Sequence, residues 1–149
     1  MIALGCLAGG SIAVVSPLGH TIGESREERE VATLQADSDL AWPTQLSSGF
    51  AQSFGRVRYQ DFAGVTVVSL RTDVGGSSIA CIYLLLDETQ GAYAGGCGSS
   101  AVTAETVLVV TDSMPGALQR EHPSGTVLKF RLEENRVVVS IGPRSESAR

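Results

Sequence analysis

Two cysteines flank the clearest turn signal in the chain, and they constrain the fold more than any other feature. Cys81 lies in the apolar run 77–86 and Cys97 closes the small-residue run 92–97; Asp87-Glu88-Thr89-Gln90-Gly91 separates the two. These are turn-forming residues, and glycine at the last position takes positive φ without steric cost. A hairpin centred on Thr89 sets Cys81 directly opposite Cys97. Opposed residues of antiparallel strands lie about 4.5–5.5 Å apart at Cα, inside the range of about 4.4–6.8 Å that a disulfide spans. The same register sets Tyr83 against Gly95 and Leu85 against Tyr93 on one face, with Ile82, Leu84 and Leu86 against Gly96, Ala94 and Ala92 on the other. Large side chains then oppose small ones, as close packing requires. A bulge at Gly91 would slip the register by one residue and lose the cysteine pairing. In an exported domain the bridge contributes about 3 kcal/mol. In a reducing compartment the same residues are two buried free thiols. Their spacing is not C-x-x-C, so neither a redox dithiol nor a zinc knuckle is indicated.

The rest of the chain after Gly55 is patterned as β-structure. Residues 56–60 alternate, with Val57 and Tyr59 on one face; residues 61–64 supply a turn, and Val65-Thr66-Val67-Val68-Ser69-Leu70-Arg71 returns. Gly75-Gly76 interrupts, and the β-branched, apolar run 77–86 has the pattern of a central strand buried on both faces. Further strands are expected at 106–111, 126–132 and 136–141, with turns at Met114-Pro115-Gly116 and His122-Pro123-Ser124-Gly125 and a closing hairpin through Glu133-Glu134-Asn135. Large aromatics are few, so the core must come from Val, Leu and Ile, and a core of that size in 149 residues gains from a covalent brace.

Residues 1–23 contain no Asp, Glu, Lys or Arg, and 1–18 is the most apolar part. As a helix, 1–18 would be about 27 Å long against a hydrocarbon core about 30 Å thick. A membrane span with its basic flank missing, a secretory signal and a buried segment of a soluble protein all compete here. Ser25 and Glu28 form an S-x-x-E capping box ahead of 26–35, which predicts a short juxtamembrane helix with Val31 and Leu34 as a narrow apolar stripe. Residues 36–48 read as connector: Asp37-Ser38-Asp39 favours a turn, Trp42 is extended ahead of Pro43, and Pro43 can open a short helix ending near Gly55. Trp42 is expected as a plug over the core. The expected organisation is therefore an apolar, transmembrane segment at 1–18, a juxtamembrane helix and connector at 19–55, a small antiparallel β-rich domain at 56–142 and a disordered tail at 143–149.

Searches for chemistry return nothing that holds. The formal charge of −5 gives no counterion-release advantage on DNA or RNA, so nucleic acid is not an expected partner. Arg26, Arg29, Arg56, Arg58 and Arg71 are scattered among acids and read as solvated surface. His20 and His122 have no second His or Cys at ligand spacing, so no metal site is assigned. His122 is expected in an exposed turn. Ser99 and Ser100 follow Gly98 outside any G-x-S-x-G elbow, and Gly95-Gly96-Cys97-Gly98 opens no phosphate-binding helix. Glu133 and Glu134 are expected as solvated turn residues. No catalytic residue and no cofactor is assigned; the assigned pair is the disulfide Cys81–Cys97.

The layout resembles a loose group of uncharacterised actinobacterial membrane-anchored proteins. The shared features are the apolar start, the Gln-x-x-Asp element (Gln35-Ala36-Asp37-Ser38-Asp39), the Cys81 run from Ser78 to Leu86, and Gly96-Cys97-Gly98. That resemblance implies the same architecture and brings no functional residues. The expectation is a single-pass, membrane-tethered domain on the extracytoplasmic side (alternatively secreted), binding or sensing something at the cell surface. Its rivals are a small cell-envelope enzyme, with His122, Asp112 and Ser113 drawn into one pocket, and a cytosolic structural or interaction domain with 1–18 packed into the core.

Overall fold

The structure, a computed structural model, describes residues 28–46, 54–87 and 91–142. Hairpins dominate it, and their turns follow from backbone sterics. Phe62 and Val65 exchange backbone hydrogen bonds of 2.9 and 2.8 Å across Ala63-Gly64, both at positive φ. Gly75-Gly76, also at positive φ, joins β3 (Thr66–Val74) to β4 (Ser77–Leu85). Two central residues at positive φ define the turn whose twist matches that of the flanking strands. The remaining strands are β1 (Arg29–Gln35), β2 (Phe54–Arg58), β5 (Ala94–Gly98), β6 (Glu105–Val109), β7 (Val127–Glu133) and β8 (Arg136–Ile141), with one short helix, α1 (Gly116–Glu121).

Two four-stranded antiparallel sheets result, ordered β2-β3-β4-β5 and β1-β8-β7-β6. Taken together, each strand lies beside its sequence neighbour, and β8 returns to pair with β1. This is the cyclic order of an up-and-down barrel, opened along two seams. At one seam a single bridge, Ala36–Tyr59, ties the ends of β1 and β2, with Gln60 N–H donating to the Gln35 carbonyl and Asp37 N–H to that of Arg58. At the other, β5 packs its backbone against β6.

One core fills the space between the sheets. Val67 from β3, Ile82 and Leu84 from β4, Leu108 from β6, Leu128 and Phe130 from β7, and Val137 and Val139 from β8 are all fully buried in it. Eight strands enclose only enough room for side chains. α1 closes one end: Leu118 and Met114 belong to the same core, and Pro115 lies against Gly64 of the β2–β3 turn. A smaller cluster lies on the outer face of the β2-β3-β4-β5 sheet, where Leu46, Val68 and Leu85 pack with Trp42 and Tyr83. The first half of β3 and the second half of β4 are therefore buried on both faces, as the apolar run 77–86 predicts for β4. Trp42 does act as a plug, but over this outer face, with the Arg56 guanidinium 5.5 Å from its ring centroid.

Four expectations are corrected. The juxtamembrane helix over 26–35 is not formed in its described part, because Arg29–Gln35 is strand β1, paired along β8. The β domain thus takes in residues ahead of Arg56. The register shifts between Glu30 and Ala32, so Val31 is a bulge residue and Val31, Ala32 and Leu34 all reach the core. A bulge breaks the period-two alternation and leaves apolar spacings that mimic a helix. The ladder to β8, a buried strand with an otherwise open edge, outweighs the local capping signal. Second, Pro43 precedes a 3-10 turn, Thr44–Leu46, and Phe54–Arg58 is strand, with Gly55 at φ 67° supplying a bulge; residues 47–53 lie outside the described residues. Third, Met114-Pro115-Gly116 is not a turn by itself, because Gly116 is the first residue of α1. Fourth, Arg58 is not solvated surface: it donates to the Ala41 carbonyl and pairs with Asp61, its side chain 9% exposed. The apolar segment 1–18, the residues Arg26 and His20, and the tail 143–149 lie outside the described residues.

Candidate functional site

Cys81 and Cys97 are disulfide-bonded, with Cα atoms 4.0 Å apart. The surrounding register is the one centred on Thr89: Ile82 opposes Gly96, Tyr83 opposes Gly95 and Leu84 opposes Ala94. The ladder stops there. Tyr93 N–H donates to the Leu84 carbonyl at 2.8 Å, so the expected Leu85–Tyr93 pair is not made. The bridge lies on the outer face of the sheet, since Ile82 and Leu84 face the core and Cys81 alternates with them. Cys81 is buried beside its ladder partner Leu70, whereas Cys97 is exposed.

The glycines around Cys97 have structural work that excludes a phosphate loop. A Cβ on Gly96 would stand 1.9 Å from the Glu105 carbonyl oxygen, and one on Gly98 would stand 2.1 Å from that of Val102. Only glycine lets β5 approach the start of β6 so closely. Gly95 lies under the Tyr83 ring, 2.6 Å from where its Cβ would be. The ring covers a glycine on the facing strand, a recognised way of stabilising glycine at a sheet edge.

The residues proposed for a catalytic pocket do not converge. His122 is buried, not in an exposed turn; it stacks on Phe62 with ring centroids 5.5 Å apart, and its N–H caps α1 on the Leu118 carbonyl at 2.8 Å. Asp112 and Ser113 are exposed in the loop before α1, where Ser113 Oγ hydrogen-bonds Thr111 Oγ1. A groove of about 650 Å³ beside that loop is lined by Tyr93, Met114, Pro115 and Ser113 but by neither His122 nor Asp112. Among the described residues no group of three or more His, Cys, Asp or Glu is placed to hold a metal ion. Glu133 is drawn into ion pairs with Arg131 (2.6 Å) and Arg136 (3.1 Å), and their hydrogen bonds hold its carboxyl below the usual carboxylate range. Lys129 bridges Glu28 and Glu105 at 3.0 and 3.2 Å, which raises its pKa.

The end of the barrel away from α1 is different. β6 and β7 run from α1 at the Val109–Val127 end to Ala104 and Leu132 at the other, where Leu132 N–H donates to the Ala104 carbonyl at 2.9 Å. There β3 continues its inward phase, Val65-Val67-Ser69-Arg71. Ser69 Oγ hydrogen-bonds the buried Tyr59 hydroxyl at 3.0 Å. Burial raises the Tyr59 pKa, while the Ser69 hydrogen bond and the positive charge of Arg71 oppose that rise. Arg71, one inward position further, reaches the mouth and donates weakly to the Glu134 carbonyl at 3.5 Å. Two adjoining recesses share it. One, about 340 Å³, has Ala80, Gly98, Ala104 and Leu132 at its base with Ser99, Ser100, Thr103 and Glu134 around it. The other, about 450 Å³, extends over Ser77 and Ser78. A barrel mouth with a few converging polar groups is a common ligand site, and because the interior is filled, the mouth is where contact with a ligand is available.

The sequence pattern puts Arg71 on the solvated surface and singles out neither Ser77, Ser78 and Thr103 nor a rim role for Ser99 and Ser100. The signal was present: counting inward positions along β3 from Val65 puts a guanidinium in phase with the core at the strand's open end. Among the described residues no helix is long and apolar enough to cross a membrane. Compared with protein-family models, curated proteins and solved structures, the chain has no match in any of the three.

Proposed function

We propose that this chain is a membrane-tethered, extracytoplasmic domain of the actinobacterial membrane-anchored kind, which binds or senses at the cell surface and uses the Arg71 end of the barrel to do so. The observation that carries the location is the Cys81–Cys97 disulfide with one exposed half-cystine. An exposed disulfide persists in an oxidising compartment and is reduced by cytosolic thiol systems. The uncharged apolar start supplies the tether in this reading. The role is binding because the polar groups that gather in the structure form an open recess lined by the Arg71 cation, while His122 is taken up in packing.

The test is fractionation of cells expressing the full chain, followed by protease treatment of intact cells or spheroplasts and thiol alkylation before and after reduction. Recovery in the membrane fraction, external cleavage and no alkylation of Cys81 or Cys97 before reduction are expected. A soluble, protease-protected protein with both thiols open to alkylation overturns the reading.

A further inference from the structure

We infer that the Arg71 recess binds the carboxylate of a small, singly charged, hydroxylated molecule such as a sugar acid. The inference takes the binding reading above as its starting point and assigns its ligand class.

The guanidinium comes first. Arg71 is exposed at the mouth, and among the described residues its side chain makes one hydrogen bond, the long contact to the Glu134 carbonyl. Among the described residues no carboxylate pairs with it, whereas Lys129, Arg131 and Arg136 on the other sheet are each satisfied by Glu28, Glu105 or Glu133. A guanidinium carries five donors in a fixed fork that matches a carboxylate's two oxygens. Arg71 lines both adjoining recesses. Charge-assisted, bidentate bonds of this kind are the strong polar contacts available to a small ligand.

The base and rim then select what accompanies the carboxylate. Ala80, Gly98 and Ala104 are small, so the recess has depth beside the cation. Gly98 is held to glycine by the Val102 and Ala104 backbone, which fixes that depth in the fold. Ser77, Ser78, Ser99 and Ser100 ring the opening with hydroxyls that both donate and accept, as a polyol requires. Charge sets the last limit. Glu134 lines the recess and Asp73 lies two residues beyond Arg71 on β3, in a chain of net charge −5. One cation among these carboxylates favours a monoanion over a phosphate dianion.

The experiment is an NMR titration of the full chain, labelled with 15N, using glucuronate, glucose and inorganic phosphate. Glucuronate is expected to move the amides of Arg71, Ser78, Ser99 and Ser100 with a Kd on the order of 1 mM, glucose to leave them in place, and phosphate to bind more weakly than glucuronate. Arg71→Lys keeps the charge but loses the fork, and is expected to weaken glucuronate about tenfold; Arg71→Gln abolishes binding. Glu134→Gln removes a carboxylate that lines the recess and repels the anion, and tightens binding severalfold, a gain that a damaged fold does not produce. No glucuronate shifts, equal response to glucose, preference for phosphate, or unchanged affinity in Arg71→Gln each overturns the assignment. The topology experiment is independent: export without glucuronate binding sinks the site alone, and binding without export sinks the location alone.

Discussion

Gly96→Ala is the sharpest single test of how the two sheets meet. The new Cβ would stand 1.9 Å from the Glu105 carbonyl oxygen and 2.9 Å from its carbon. Carbon contacts settle near 3.5–4.0 Å, so β5 and β6 must separate by about 1.5 Å. Both obstacles are backbone, so no rotamer change relieves them. β5 cannot simply withdraw, because Cys97 is bonded to Cys81 and the ladder to β4 runs from Gly98 to Ala94. Overpacking a rigid site costs about 1–3 kcal/mol, and this clash belongs at the upper end. Gly95→Ala meets the Tyr83 ring, which can swing aside, and the Ile82 carbonyl oxygen at 3.1 Å, a milder backbone contact, and should cost about 1–2 kcal/mol; Gly142→Ala finds Val127 at 3.5 Å and should change stability by less than about 0.5 kcal/mol. The assay is urea unfolding of the full chain, comparing midpoints at constant m-value. With the disulfide reduced, the Gly96→Ala penalty should shrink, because β5 is then free to move, and the difference is a coupling energy. Gly96→Ala as stable as Gly142→Ala would mean that β5 and β6 do not touch as described.

Three further outcomes follow from particular groups. Reduction, or replacement of both Cys81 and Cys97 by alanine, should lower unfolding free energy by about 3 kcal/mol for a loop with a sequence separation of 16; urea midpoints with and without reductant measure it, and coincident curves would show that the bridge does not constrain the unfolded chain. Tyr59 has a raised folded-state pKa, so its neutral form contributes stability that is present below the ordinary tyrosine pKa of 10.0 and is lost as pH rises through the folded value. Tyr59→Phe should cost about 1 kcal/mol at neutral pH, by orphaning Ser69, yet flatten that alkaline decline; a decline of unchanged slope in thermal melts above pH 10 would assign it elsewhere. Glu133 has a lowered pKa, so its contribution is present above the ordinary glutamate pKa of 4.5 and is lost as pH falls through the folded value. Glu133→Gln should reduce the acid sensitivity of melting, by a small amount because its ion pairs lie at the surface and are screened by solvent, and equal acid midpoints in both proteins would count against the ion-pair geometry.

The hairpins were legible because their information is local. Turn residues at Asp61–Gly64, Gly75-Gly76 and Gly125, together with alternation around them, placed β3, β4, β7 and β8, and opposing large residues with glycine and alanine set the register through Cys81 and Cys97. What failed depended on partners distant in sequence. β1 carries a bulge at Val31, and only β8 reveals that its apolar spacing belongs to a strand. His122 precedes Pro123 in a turn, which favours exposure, but Phe62 comes from the opposite sheet to stack on it. α1 spans just six residues after Pro115, too short for periodicity to register, and exists because Leu118 and Met114 fill the barrel end. Arg71 looked like any surface arginine until closure of the barrel placed the inward phase of β3 against Glu134 and Leu132.

The two ends of the barrel are therefore unequal for a physical reason that links stability to the candidate site. Eight strands leave no internal room, and α1 with Phe62 and His122 seals one end with apolar and aromatic packing. At the other end the seam between the sheets is closed by backbone contact through Gly96 and Gly98. Those glycines make β5 an intrinsically weak strand, and the covalent bond at Cys97 compensates between them. Ser99 and Ser100 follow immediately and form the rim of the Arg71 recess. The brace is thus adjacent to the site in the chain as well as in space: loosening β5 by reduction should disturb the hydroxyl rim before it disturbs the core. In a glucuronate titration under reducing conditions, affinity should fall while the amide signals of Leu108 and Val139, buried on the other sheet, stay in place. Affinity that survives reduction would show that the rim is held by the Val102–Ala104 contacts alone and that the disulfide serves global stability only.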